Sequence, residues 1–158
     1  MSEFGSLPKQ GLGCMGFSAF YSSAGNSSVE KGRAVLKRAV ETGVTLLNTA
    51  TFYGPLNIEG YGDNLRFIKN SLEGIDRSRY QLMVKVGLDT RAPVEKTGQQ
   101  FIIRGDADFL NIEIDYALEQ LGTDYIDIIV LCRVPTDISI EKAVLNMKAI
   151  ADTGKARA

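Results

Sequence analysis

Apolar residues gather into four runs of strand length, at residues 11–16, 44–50, 80–87 and 125–132, and between them they recur at helical spacing. The last run, YIDIIVLC, is nearly continuous in Ile, Val and Leu, a pattern suited to a strand covered on both faces of a parallel sheet. Ser27-Ser28-Val29-Glu30 has the Ser-x-x-Glu spacing of a capping box. The helix it opens carries Val35, Leu36, Ala39 and Val40 on one face and stops at Gly43. A less regular helix covers residues 64–72. A third, from Phe109 to Gly122, stripes Leu110, Ile114, Ala117 and Leu121; a fourth, from Ile140 to Gly154, uses Val144, Met147 and Ile150. Residues 88–108 form the longest unpatterned stretch, and loops of that size are often functional. The order β-α-β-α-β-α-β-α, followed by Ala156-Arg157-Ala158, implies right-handed crossovers and a parallel sheet. Two architectures satisfy it: an open doubly wound sheet, or part of a (β/α)₈ barrel.

Composition narrows the function more than the fold. A chain of 158 residues, 44% apolar and 23% charged, reads as one soluble domain with a real core and no second domain. A formal net charge of −1 gives no reason to expect nucleic acid or an anionic membrane as partner. The apolar runs fall short of a membrane span, and the polar N-terminus lacks a signal segment. Cys14 and Cys132, far apart in sequence, fit neither a disulfide framework nor a zinc site, so a reduced, cytoplasmic setting is expected. Histidine is absent, which excludes every imidazole base, imidazole metal ligand and Ser-His-Asp triad.

What chemistry remains lies where the strands end. GLGCMG, residues 11–16, matches G-x-G-x-x-G, but the glycines fall within the strand and the next helix is capped only near Ser27. A pyrophosphate would therefore lack its helix N-terminus. A Gly-rich strand needing close backbone packing explains the same residues. The second run ends in Asn48 and then Tyr53, the third carries Lys85 between Val84 and Val86, and the fourth ends in Cys132-Arg133. In parallel α/β folds ligands bind at the carboxyl ends of strands, so these side chains are expected to converge on one rim. A lysine on a buried strand is costly to desolvate unless it is paired, reaches an edge or points into a polar pocket. A phenol beside an ammonium has its pKa lowered and can give a proton to a carbonyl oxygen as a hydride arrives. Alone, Tyr53 would read as a packed aromatic and Cys132 as a small buried hydrophobe.

The segments GLGCMGFS, LLNTATFYGP, MVKVG, ALEQLGTDYIDI, CRVPTDISIEKAV and MKAIADTGKARA, in that order, resemble the N-terminal half of the aldo-keto reductases, from Gly11 to Ala158. The resemblance implies the first half of a (β/α)₈ TIM barrel, four sequential parallel β-α units ending at the start of strand five. It implies reduction of aldehydes or ketones with NADPH, without metal or flavin, on a small carbonyl substrate. Of the family's Asp-Tyr-Lys-His tetrad, Tyr falls on Tyr53 and Lys on Lys85; the Asp position holds Asn48 and the His position Cys132. The cofactor-contacting loop after the first strand maps to Met15, Gly16 and Phe17, with Asn48 beside it.

Asn48 accepts a hydrogen bond but brings no charge, so Lys85 loses an anionic partner and its pKa should fall if it is buried. Cys132 removes a strong donor toward the substrate carbonyl, although subgroups resembling pyridoxal reductases also lack that histidine. A complete barrel of this type needs about 250 residues. The family's remaining NADPH contacts lie in its second half, so activity is expected to require that half. Open first and fourth strands and an uncovered inner layer would promote self-association. The resemblance also admits a catalytically degenerate protein that binds a partner, as the regulatory β-subunits of potassium channels do on this fold.

Overall fold

The computed structural model describes residues 7–19, 28–91 and 101–158. In chain order the elements are β1 (Gly11–Gly13), α1 (Val29–Glu41), β2 (Leu46–Ala50), α2 (Asp63–Ser71), β3 (Gln81–Val86), β4 (Leu88–Asp89), β5 (Ile102–Ile103), α3 (Ala107–Leu121), β6 (Ile128–Leu131) and α4 (Ile140–Asp152). The main sheet is parallel and runs β1-β2-β3-β6 in chain order, while β4 and β5 form a separate antiparallel ribbon. A doubly wound sheet would reverse direction after its first strands. This one does not, so the dinucleotide-fingerprint reading of GLGCMG falls and the barrel order stands.

Side-chain alternation assigns the two faces. Leu47, Leu82, Val84, Val86 and Ile129 point to one side and are buried against Leu36 and Val40 of α1, Leu65 and Ile68 of α2, Leu110 and Ile114 of α3, and Ile150 of α4. Each such large aliphatic residue contributes on the order of 2 kcal/mol of transfer free energy. Leu46, Met83, Ile128 and Val130 point to the other face and remain partly exposed. The pattern of β6 suggested cover on both faces; among the described residues the helices cover one.

Helix boundaries follow from caps. Ser28, not Ser27, is the N-cap of α1, accepting from the Lys31 amide at 3.2 Å; Ser27 itself lies outside the described residues. Asp106 caps α3, whose start at Ala107 is two residues ahead of the expected one, accepting from the Phe109 amide at 3.0 Å, and Ser139 caps α4. Two expected core positions face outward: Val35 is 52% and Val144 55% exposed, and the buried stripes run instead through Gly32, Leu36 and Val40, and through Ala143, Asn146 and Ile150. The first strand is also shorter than its apolar run. It ends at Gly13, and Met15–Phe17 form a 3₁₀ turn. Residues 88–108, expected to lack structure, contain the β4-β5 ribbon and the cap of α3; residues 92–100 lie outside the description.

At the amino ends of the strands, Asp127 is buried to 3% exposure and fully engaged. It accepts from Arg77 at 2.6 Å, the Leu82 amide at 2.9 Å and Arg157 at 3.3 Å. Both guanidinium groups also lie over the Tyr125 ring, at 4.2 and 3.8 Å. Backbone bonds join Ile126 to Lys155 and Arg157, and Ala158 to Asp127 and Ile129, so residues 155–158 run parallel beside β6. The sheet thus already has the beginning of a further strand.

Candidate active site

Parallel registry places the polar strand-end residues at one rim. Ala50 lies opposite Lys85 and Lys85 opposite Val130, while Asn48 lies opposite Gly13 and Met83. Asn48 and Lys85 both emerge on the face the helices leave open, and the Lys85 amine donates to the Asn48 side-chain oxygen. The same amine stands 4.8 Å from the centre of the Tyr53 ring. Asn48, Tyr53 and Lys85 are therefore neighbours. Burial holds the Lys85 amine below the usual lysine value, with the thiols of Cys132 and Cys14 pulling the other way. Among the described residues no carboxylate is in ion-pair reach of it.

Tyr53 is 6% exposed and packs edge-on against Phe52 at 5.2 Å. Its backbone is tied down: its carbonyl accepts from the Asn64 amide at 3.1 Å and the Ser18 hydroxyl at 3.3 Å. Asn64 is fully buried and bonds Thr49, the Cys14 carbonyl and Ser18, which links the ends of β1 and β2 to α2. The loop after Tyr53 closes on itself. A Cβ on Gly54 would lie 2.0 Å from the Gly60 carbonyl oxygen, and one on Gly60 would lie 2.2 Å from that of Pro55. Only glycine fits at either place.

Beside the tyrosine lies a cleft of about 260 Å³, mostly apolar, lined in part by Met15, Leu88, Phe101, Cys132 and Arg133. Leu88 and Phe101 come from the region of the β4-β5 ribbon, so residues 88–108 do shape this pocket. Thr90 also lines it, and its hydroxyl is buried without a hydrogen-bond partner among the described residues. Cys132 reaches the cleft, but burial raises its thiol against Arg133 and Lys85. It stays protonated at neutral pH and is a poor nucleophile. Burial likewise pushes Cys14 up to about 12, opposed by Lys85. The three turn residues separate: Met15 joins the cleft, Gly16 is half-buried, and Phe17 turns to the helix layer, stacking on Phe67 at 5.0 Å.

Sequence reasoning missed the polar residues that support this rim, Asn64, Thr51, Tyr61 and above all Glu113. Glu113 is 1% exposed on α3. Its signal was present: it stands next to Ile114 and three residues after Leu110, inside the stripe that periodicity assigns to the core. Asn64, at the start of a helix, left no such mark.

A sequential parallel sheet with helices outside and a tyrosine, a lysine and a cleft at the carboxyl ends of its strands defines a (β/α)-barrel type of protein. The Aldo/keto reductase family model matches residues 11–158, and the chain belongs to that family. It is 27% identical to Probable aldo-keto reductase 1 of Glycine max over 151 residues, 96% of this chain and 40% of that protein. It is 29% identical to Aldo-keto reductase yakc [NADP(+)] of Schizosaccharomyces pombe over 153 residues, 96% of this chain and 41% of that one. The chain thus spans about two fifths of the length of these relatives. Among solved structures, aldo-keto reductase AKR11C1 from Bacillus halodurans superposes with a TM-score of 0.72 at 24% identity, covering 94% of this chain and 43% of its own. An aldo-keto reductase from Klebsiella pneumoniae in complex with NADPH gives 0.64 at 22%, covering 96% and 44%. These likenesses establish the TIM-barrel fold, and family membership makes the chain part of an oxidoreductase lineage.

Proposed function

We propose that this chain supplies the proton-donating half of an NADPH-dependent carbonyl reductase acting on a small aldehyde or ketone. The observation that carries the reading is the placement of Tyr53 against the Lys85 amine at the mouth of an apolar cleft. The residues present fit the reacting end of a nicotinamide cofactor. Gly13, opposite Asn48, opens onto empty space where a Cβ would meet nothing within 4 Å, and the turn of Met15, Gly16 and Phe17 follows it. Met15, Gly16 and Asn48 would border the cofactor there, with Phe17 fixing the turn through Phe67. Bound NADPH supplies a hydride to the carbonyl carbon. The Tyr53 hydroxyl gives its proton to the carbonyl oxygen, completing an alcohol, and the Lys85 ammonium stabilises the phenolate left behind. Asn48 fixes the amine in position without neutralising it. Cys132 walls the cleft and takes no proton.

The share of the relatives' length that the chain covers, and the open face of its sheet, support a requirement for a second segment that completes the ring. The decisive measurement is oxidation of NADPH with a panel of short aldehydes and ketones. It compares this chain alone with the chain joined to the C-terminal segment of the Schizosaccharomyces pombe relative. Turnover is expected only in the completed protein, and Tyr53→Phe should cut it by about 10²–10⁴-fold. Failure of the completed protein to bind or oxidise NADPH with any carbonyl overturns the reading. A second reading, a binding protein that no longer catalyses, is favoured by the uncharged Asn48. Tight NADPH binding by the completed protein with no carbonyl-dependent oxidation of NADPH would select it.

A further inference from the structure

We propose that Glu113 is the positioning residue of the Tyr53–Lys85 pair, a single carboxylate that clamps the two strand ends on which these side chains are mounted. The inference deepens the reductase reading and rests on it for the importance of that pair.

Burying an ionisable group in the stripe of α3 is unfavourable unless its oxygens are satisfied, and here both are. One carboxylate oxygen accepts from the Thr51 hydroxyl and from the Tyr61 phenol, the latter at 2.6 Å; the other accepts from the Gly87 amide at 2.7 Å. The positions of these donors identify the role. Thr51 lies two residues before Tyr53 and directly follows β2. Gly87 lies two residues after Lys85 and directly follows β3. Tyr61 closes the loop that leaves Tyr53, and its neighbour Gly62 donates its amide to the Thr51 carbonyl at 2.7 Å. The Thr51 amide in turn donates to the Lys85 carbonyl at 3.2 Å. One side chain thus fixes the spacing between the backbone before the tyrosine and the backbone after the lysine.

An apolar residue at 113 would pack the helix equally well, but it would leave two hydroxyls and an amide without acceptors. Gly87 shows how closely the clamp is fitted. Its φ is +93°, and a Cβ there would lie 2.8 Å from Leu131 and 3.1 Å from the Arg104 carbonyl oxygen. The residue is glycine so that its amide can turn toward α3. Glu113 touches neither the cleft nor the Lys85 amine, so its influence passes through the backbone it holds.

The test reads the pair without using turnover. In the purified 158-residue chain, Thr51→Val removes one donor and keeps the carboxylate bound by Tyr61 and Gly87; Glu113→Leu removes the acceptor for Gly87. Each variant is followed by amide hydrogen exchange, by titration of the Lys85 amine through its ¹³C-labelled ε-carbon, and by denaturant unfolding. We expect exchange at Gly62 in the first variant and at Gly87 in the second to quicken by about tenfold. We expect the Lys85 titration to move up toward the ordinary lysine value in Thr51→Val as water reaches the amine. Loss of stability with the Lys85 titration unmoved in Thr51→Val overturns the proposal, because Glu113 would then serve packing alone. If the titration moves while the completed protein oxidises no NADPH, the reductase reading fails and the positioning role stands.

Discussion

The two ends of the sheet carry similar materials arranged to opposite purposes. At the amino end Asp127 is enclosed by two guanidinium groups and a backbone amide, so that both carboxylate oxygens have a donor and the negative charge has cationic partners. At the carboxyl end Lys85 is half-buried on β3, and among the described residues it has a neutral amide, an aromatic ring and two thiols near it but no carboxylate. A closed charge network holds a fold in one register and has nothing left to offer a ligand. An ammonium kept below its usual pKa by burial, with its charge uncancelled, still has interaction energy in reserve. The difference locates the site more sharply than the number of polar residues at either end.

Breaking the amino-end network should have the largest effect. Asp127→Ala strands the Leu82 amide and two arginines and should lower the unfolding free energy by about 3–5 kcal/mol, read from the denaturant midpoint. Next comes the pH dependence of the clamp that supports the other end. Burial raises the Glu113 carboxyl to about 7, against donors that favour its charged form. A carboxyl raised in the folded state stabilises it fully below the ordinary value near 4.5, and that contribution is lost as pH climbs to about 7. Its full span is on the order of 3 kcal/mol. Of the groups facing Glu113, the Tyr61 phenol and the Cys132 thiol are held above their usual values and the Arg91 guanidinium stays charged, so none titrates in this window. Unfolding measured from pH 4 to 8 should therefore slope downward in the parent chain and lie flatter in Glu113→Gln.

Smaller effects sharpen the contrast by making the ends alike. Asn48→Asp gives Lys85 a carboxylate and should raise its pKa, with a gain in stability of about 1 kcal/mol at neutral pH. An unchanged lysine titration would show that the amine is already neutralised by another group. Lys85→Met should alter folding stability least, by less than about 1 kcal/mol, because it removes a half-buried charge that no ion pair among the described residues compensates. A loss comparable to that of Asp127→Ala would erase the distinction between the two ends.

The sequence made the order of strands and helices legible because each has its own period, and because Gly43, Gly122 and Gly154 end their helices. It also put Asn48, Tyr53 and Lys85 at strand ends, and from there parallel registry brings them together. It failed where burial depends on partners distant in the chain. Val35 and Val144 fit the helical stripe as well as Leu36 and Ile150 do, and only the position of the neighbouring layer turns them outward. The β4-β5 ribbon was invisible because two-residue strands carry no period. Glu113 was hidden by its own charge, which argues for solvent until the three donors that surround it are known.

The loop between Gly54 and Gly60 bears on how relatives of this chain should be compared. Because backbone oxygens stand within 2.0 and 2.2 Å of where a side chain would begin, Gly54 and Gly60 are protected by room alone, whatever becomes of the chemistry. A lineage that abandoned reduction would keep writing those letters for as long as it kept the fold. The lysine has no such shelter: its strand would hold a methionine comfortably. In a survey of descendants, drift at Lys85 is the record of lost function, and constancy at Gly54 records only geometry.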